Sequence, residues 1–199
     1  MTATILLIRH AEHADFNQRL SGRRPGVGLT ERGRAQAAAL GRALAGRGVV
    51  RVECSSLERT RETAMAIADA LALPPPTPVD ALLEIDMGDW TGRAFDGFGD
   101  DPAWRAWNER RGRARIPGGE SMAEAQARIV RHLGTAAAGE TVAMVSHSDM
   151  IRAAVAHVIG LPLDHLLRFE IDPASVTGVV VGDWGAKLLW LNEAASPRT

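Results

Sequence analysis

Several side chains of this sequence are of types that handle an anion. Arg9-His10 follows the apolar run Ile5 to Ile8, Ser55 to Arg59 follows Val49 to Cys54, and His147 follows Thr141 to Ser146. A neutral imidazole attacks phosphorus and forms a labile phosphoramidate, which divides one hard displacement into two easier ones. A neighbouring guanidinium grips phosphate oxygens in pairs and disfavours the imidazolium. A second imidazole hydrogen-bonds phosphate oxygens and stabilises charge in the transition state. A carboxyl group such as Glu84, within Leu83-Glu84-Ile85-Asp86-Met87-Gly88-Asp89-Trp90, protonates a leaving alkoxide and later takes a proton from water. Each has a bland alternative: an ordinary Arg-His pair, a solvated Arg, a core His. Asp80, Asp86 and Asp89 compete with Glu84, and spacing alone does not select among them.

The elements that position these residues follow from the patterning. Ile5–Ile8, Val49–Cys54 and Thr141–Ser146 read as buried strands, with Leu167–Ile171, Val176–Val181 and Leu188–Leu191 as later ones. The turn Gly182-Asp183-Trp184-Gly185 joins the last two. Helices are predicted over 31–45 behind the N-cap Thr30, from the capping-box sequence Ser55-Ser56-Leu57-Glu58 to about Leu71, from Asp101-Pro102, from the capping box Ser121 to Glu124, and over 149–159. Strands alternating with helices predict an α/β layered sheet in a single domain over residues 1–199, with 85–120 inserted over the site. In such sheets ligands lie beyond the carboxyl ends of the strands. That rule gathers Arg9-His10, Ser55 to Arg59 and His147 at one end.

The bulk properties narrow the function. The net charge of −1 gives no field for nucleic acid. No apolar run reaches the roughly 18 residues of a membrane span. One cysteine, Cys54, excludes an internal disulfide framework, and the cytoplasm is the expected location. Of 23 Lys and Arg residues only Lys187 is lysine. Residues Ser196 to Thr199 are expected to be poorly ordered. Trp90, Trp104 and Trp107 are expected either to pack together or to line an apolar side of the pocket.

Six motifs occur in one order. They are Leu7-Ile8-Arg9-His10-Ala11-Glu12, Leu29-Thr30-Glu31-Arg32-Gly33-Arg34-Ala35-Gln36-Ala37, Ser55-Ser56-Leu57-Glu58-Arg59-Thr60-Arg61-Glu62-Thr63-Ala64, Glu84-Ile85-Asp86-Met87-Gly88-Asp89-Trp90-Thr91-Gly92, Gly118-Gly119-Glu120-Ser121 and Val145-Ser146-His147. Together they resemble the motifs of the histidine phosphatase (phosphoglycerate mutase-like) superfamily. The resemblance implies a three-layer α/β/α sandwich with a mostly parallel sheet. It implies a metal-independent phosphomonoester hydrolase in which His10 accepts phosphate and Glu84 is proton donor, then base. Arg9, Arg59 and His147 would form the phosphate pocket with His10. Asn17, Ser21, Gly22 and Ser148 are further phosphate-binding candidates. No metal and no cofactor are implied. The partner would be a small phosphorylated metabolite, and the protein a monomer or homodimer.

The sequence departs from that pattern at Ala11 (usually Gly), His13 (often Thr) and Ser148-Asp149 (commonly Gly-Gly). A methyl at Ala11 is expected to shift the pocket slightly, and Asp149 to repel anionic substrates. Two other readings stay open. A mutase of the phosphoglycerate type would hold a second anion, for which Arg110, Arg111, Arg113 and Arg115 are candidates. A non-catalytic phospho-ligand binder is the other. A cysteine phosphatase loop needs five residues between Cys and Arg, and only four separate Cys54 from Arg59. His10, Glu12 and His13 have no His-Glu-x-x-His helix or cysteine cluster to make a zinc site.

Overall fold

The computed structural model describes residues 1–194; the expectation for Ser196 to Thr199 lies outside them. Its centre is a six-stranded sheet in the order β3-β2-β4-β1-β5-β6. The strands are β1 (Thr2–Arg9), β2 (Val49–Cys54), β3 (Thr77–Pro78), β4 (Thr141–Ser146), β5 (Ser175–Gly182) and β6 (Gly185–Ala194). β3, β2, β4 and β1 run parallel; β5 and β6 are antiparallel. Side chains alternate across a strand, so a buried parallel strand must feed two cores. β1 sends Ile5 and Leu7 to one face and Leu6 and Ile8 to the other; β4 likewise divides Val142 and Met144 from Ala143 and Val145.

Helices cover both faces, which makes the three layers. α1 (Glu31–Ala43) and α2 (Glu58–Ala70) pack on the face of Leu6 and Ile8. α4 (Met122–Leu133) and α5 (Ser148–Ile159) pack on the other, and the short α3 (Pro102–Glu109) adds Trp107 to that core. Thr30 caps α1 by accepting from the Gly33 N–H, and Ser121 and Glu124 form the expected reciprocal capping box of α4. Asp101 caps α3 with Pro102 in its first turn.

Two expectations fail. Leu167–Ile171 is not a strand: Leu163–Arg168 is a 3-10 turn after Pro162, burying Leu166. The carbonyls of the residues that follow go to arginines, Phe169 to Arg152 and Ile171 to Arg9, and not to a neighbouring strand. The Ser55 to Glu58 capping box does not form either. Leu57 occupies the cap of α2 without a side-chain bond; Ser55 Oγ accepts from the Leu57 N–H at 3.2 Å and lies 3.0 Å from His147 Nε2.

The first motifs share one structural task, which is to hold the chain just after β1. The Glu12 carbonyl accepts from the Thr30 N–H at 3.1 Å, and the Glu12 N–H donates to Gln36 Oε1 at 3.0 Å. A Cβ at Gly33 would overlap that Glu12 carbonyl oxygen. Gly33→Ala is therefore expected to lose about 2 kcal/mol or more. Thermal denaturation should show it as a fall in Tm of several degrees; an unchanged Tm would contradict the close approach.

Candidate active site

β1, β2 and β4 end at the same edge of the sheet, and their loops bring together the residues expected there. His10 is buried, with Nδ1 2.8 Å from the carbonyl oxygen of Ala11. A carbonyl only accepts, so Nδ1 carries the proton and Nε2 keeps its lone pair. Ala11 is itself held, its N–H donating to Thr63 Oγ1 at 3.1 Å. It has no positive φ, and its methyl lies inside the core beneath α1 and α2. That backbone conformation does not require glycine.

Arg9 donates Nη1–H to the Ile171 carbonyl at 2.6 Å, and Arg59 donates Nη2–H to the Gly22 carbonyl at 2.7 Å. Arg9 Nε and Arg59 Nε and Nη1 are buried without hydrogen-bond partners. Donors so placed are ready for an oxyanion. His147 is fully buried, and its ring centroid is 5.1 Å from that of His10. Arg59 Nη2 lies 3.2 Å from His147 Nδ1, and Ser55 Oγ lies 3.0 Å from its Nε2. Both imidazoles are held well below the ordinary histidine range, by burial first and then by the charge of Arg59, with Arg9 adding to it. The rings are neutral, and the cationic charge belongs to the two arginines.

Glu84 closes the site from another direction. Its Oε2 is 3.8 Å from His147 Nδ1, and its Oε1 accepts from the Ile85 N–H at 2.9 Å. Its mount is a segment outside the sheet strands, fixed by two arginines. Arg128 donates to the carbonyls of Asp80, Ala81 and Leu83, and Arg23 to that of Glu84. Glu120 ties both guanidinium groups together, at 2.9 and 3.0 Å, and accepts from the Asp86 N–H. Gly119 lets its turn lie on this segment, since a Cβ there would overlap the Asp86 carbonyl. Burial first, and then the charge of Asp149, push the Glu84 carboxyl up to about 7 against the opposing pull of Arg59.

The cleft of about 530 Å³ is lined by Arg9, His10, Arg59 and Glu84, and also by Asn17, Ser21, Gly22 and Ser148. Ser21 spends its hydroxyl on Asp15, whereas Ser148 Oγ is buried and unpartnered. Phe16, Leu20, Met87 and Phe95 give the mouth an apolar side. Trp90 packs instead against Phe98, Trp104 and Trp107, which corrects the idea that tryptophans line the pocket. Arg110, Arg111, Arg113 and Arg115 do not line the cleft either. Arg111 is buried over Trp107 and pairs with Asp149 at 3.0 Å; Arg115 pairs with Glu124.

Sequence reasoning missed the supports: Ser55, Thr63, Arg23, Arg128 and Asp149 as a partner of Arg111. Only Asp149 and Ser55 had a signal, by lying beside motif residues. Burial acts to raise the Asp149 carboxyl, but Arg111 and Arg152 more than offset it and hold it below the usual range.

A three-layer α/β protein with a buried, bare imidazole nitrogen between two partly unpartnered arginines is built to take up a phosphoryl group. The chain belongs to the histidine phosphatase superfamily (branch 1), whose family model matches residues 5–194. It is 31% identical to phosphoserine phosphatase 1 of Hydrogenobacter thermophilus, over 94% of this chain and 91% of that protein. It is 31% identical to the probable phosphoglycerate mutase GpmB of Erwinia tasmaniensis, over 88% and 83%. The structure of a mycobacterial glucosyl-3-phosphoglycerate phosphatase superposes with a TM-score of 0.84 at 25% identity, covering 98% of this chain and all of that one.

Asp149→Asn keeps the shape of Asp149 and removes its charge. The Glu84 carboxyl is expected to titrate lower than about 7 in this variant, toward the ordinary glutamate range. Carboxyl ¹³C NMR would show this, and an unmoved titration would contradict the coupling of the two carboxylates.

Proposed function

We propose that this protein hydrolyses a small phosphomonoester metabolite through a phosphohistidine on His10. The observation that carries the reading is the hydrogen bond from His10 Nδ1 to Ala11, which leaves Nε2 bare beside Arg9 and Arg59. In the first step the Nε2 lone pair attacks phosphorus and the ester P–O bond breaks. Glu84 gives its proton to the leaving oxygen, which departs as the alcohol. In the second step the Glu84 carboxylate takes a proton from water, the water oxygen attacks phosphorus, and the N–P bond breaks. Orthophosphate leaves, and His10 and Glu84 return to their starting forms. Arg9 and Arg59 hold the phosphoryl oxygens, His147 supports Arg59 through Nδ1, and Ser148 and the loop of Asn17, Ser21 and Gly22 lie at the rim. Arginine charge serves where other enzymes use a metal, so the scheme needs no cofactor.

The phosphatases among the relatives support hydrolysis. The likeness to GpmB favours a mutase as the second reading. Against it, the arginines of 110–115 do not line the cleft, where among the described residues Arg19 joins Arg9 and Arg59. In our reading the chain is one domain with 85–120 as an insertion over the site, which places Met87 and Phe95 at the cleft. Among the described residues no helix is long and apolar enough to cross a membrane. We further infer a cytoplasmic monomer or homodimer, in keeping with the single buried Cys54.

In EDTA, phosphate release from a panel of phosphomonoesters is expected, and His10→Ala should abolish it. Interconversion of phosphoglycerates without release would move the assignment to mutase; binding without either activity would leave a phospho-ligand binder.

Because Glu84 must start protonated, kcat on alkyl esters is expected to fall as pH rises through about 7. Glu84→Gln should lose about 10²-fold or more on alkyl phosphates and far less on p-nitrophenyl phosphate, whose leaving group needs no proton. Equal losses on both would remove Glu84 from the acid role.

A further inference from the structure

Three imidazoles meet at this edge of the sheet, and they differ in how their nitrogens are used. His10 commits Nδ1 to Ala11, which leaves Nε2 for phosphorus. His147 has Arg59 against Nδ1 and Ser55 against Nε2. His13 commits neither: no hydrogen bond reaches its ring, and its Nδ1 is buried without a partner. Yet the residue is only 8% exposed and lines the same cleft, with its ring centroid 5.0 Å from that of His10.

The backbone, not a polar partner, places this ring. His13 forms an antiparallel bridge with Leu29 of the same loop, and its carbonyl accepts from the Phe16 N–H at 3.0 Å. Phe16 meets the ring edge-on at 6.2 Å. Buried polar groups left without partners are rare in folded proteins and call for an explanation. Burial first, then the charges of Arg59 and Arg9, lower His13 to about 4 against the opposing charge of Asp15. The neutral ring therefore adds no third cation to the resting site. It still carries one N–H, and with no partner selecting the tautomer that N–H is free to face the cleft.

We propose that His13 is a substrate-binding residue, donating a ring N–H to an oxygen of the phosphate group held against His10. This rests on the reading of His10 as the phosphate acceptor. The two arginines whose charges bear on His13 are those whose unpartnered nitrogens surround the same space. A threonine here, as in the motif the sequence resembles, is too short to occupy the volume of the ring.

The test is calorimetric binding of inorganic phosphate to the wild type, His13→Thr and His13→Gln, with kcat and KM on one alkyl phosphomonoester. His13→Thr is expected to weaken phosphate binding by about 10- to 100-fold, as for a hydrogen bond to a charged group. KM should rise with kcat nearly unchanged, and His13→Gln, which keeps an N–H donor, should recover most of the affinity. Phosphate affinity in His13→Thr within about twofold of wild type, at equal Tm, would overturn the proposal. Were His13→Thr not to fold, the ring ¹⁵N signals of the wild type decide: a His13 signal unmoved by phosphate overturns the proposal, and a moved one supports it. Weakened phosphate binding in His13→Thr, with a wild type that hydrolyses no ester, would sustain the role of His13 while the catalytic reading fails.

Discussion

The site depends on one hydrogen bond between neighbours in sequence, from His10 Nδ1 to the Ala11 carbonyl. It fixes which nitrogen of the ring holds the proton, and so which one keeps its lone pair. Such a bond is no firmer than the peptide that offers the carbonyl. That peptide is held from α1 by Gln36, which accepts from its Glu12 N–H, while Thr63 of α2 holds the Ala11 N–H on one side and Thr30 the Glu12 carbonyl on the other. Two helices on one face of the sheet thus serve, at their site ends, to keep a carbonyl aimed at an imidazole. The Gly33 contact lets α1 come close enough to do so.

Around that ring the protein separates two electrostatic tasks that would otherwise conflict. Permanent charge sits on guanidinium groups, which burial does not neutralise. The imidazoles, which burial and those charges strip of protons, keep lone pairs and single N–H groups. The carboxyl group shows the opposite response to the same burial, gaining affinity for its proton. A low-dielectric setting therefore produces an unprotonated imidazole and a protonated carboxyl group together, with side-chain type deciding the sign.

Much of this was legible in the sequence because Arg9-His10, Ser55 to Arg59 and His147 stand where polar residues follow apolar runs at strand ends, whereas Glu84 was selected only by the resemblance of its motif. Arg9, His10, Arg59, Glu84 and His147 come together as expected, and so do the layers of the fold. What stayed hidden depends on contacts between distant segments. Arg128 looks like any surface residue of an amphipathic helix, yet it clamps carbonyls more than forty positions away. Ser55 reads locally as a helix cap, but its Oγ accepts from the Leu57 N–H two residues on and meets His147 from a distant segment. Leu167 to Ile171 has strand composition, but its carbonyls answer to arginines. The Arg110 to Arg115 cluster suggested an anion site because charge is visible in a sequence and pairing is not.

The pairing of Arg111 with Asp149 has a consequence for Glu84. Arg111 follows the end of α3, and Asp149 lies in the first turn of α5. Arg111 and Arg152 keep Asp149 ionised against its burial, and the ionised Asp149 favours the proton on Glu84. The proton affinity of one carboxyl group in the cleft is thus set from outside it, through arginines that do not line the cleft.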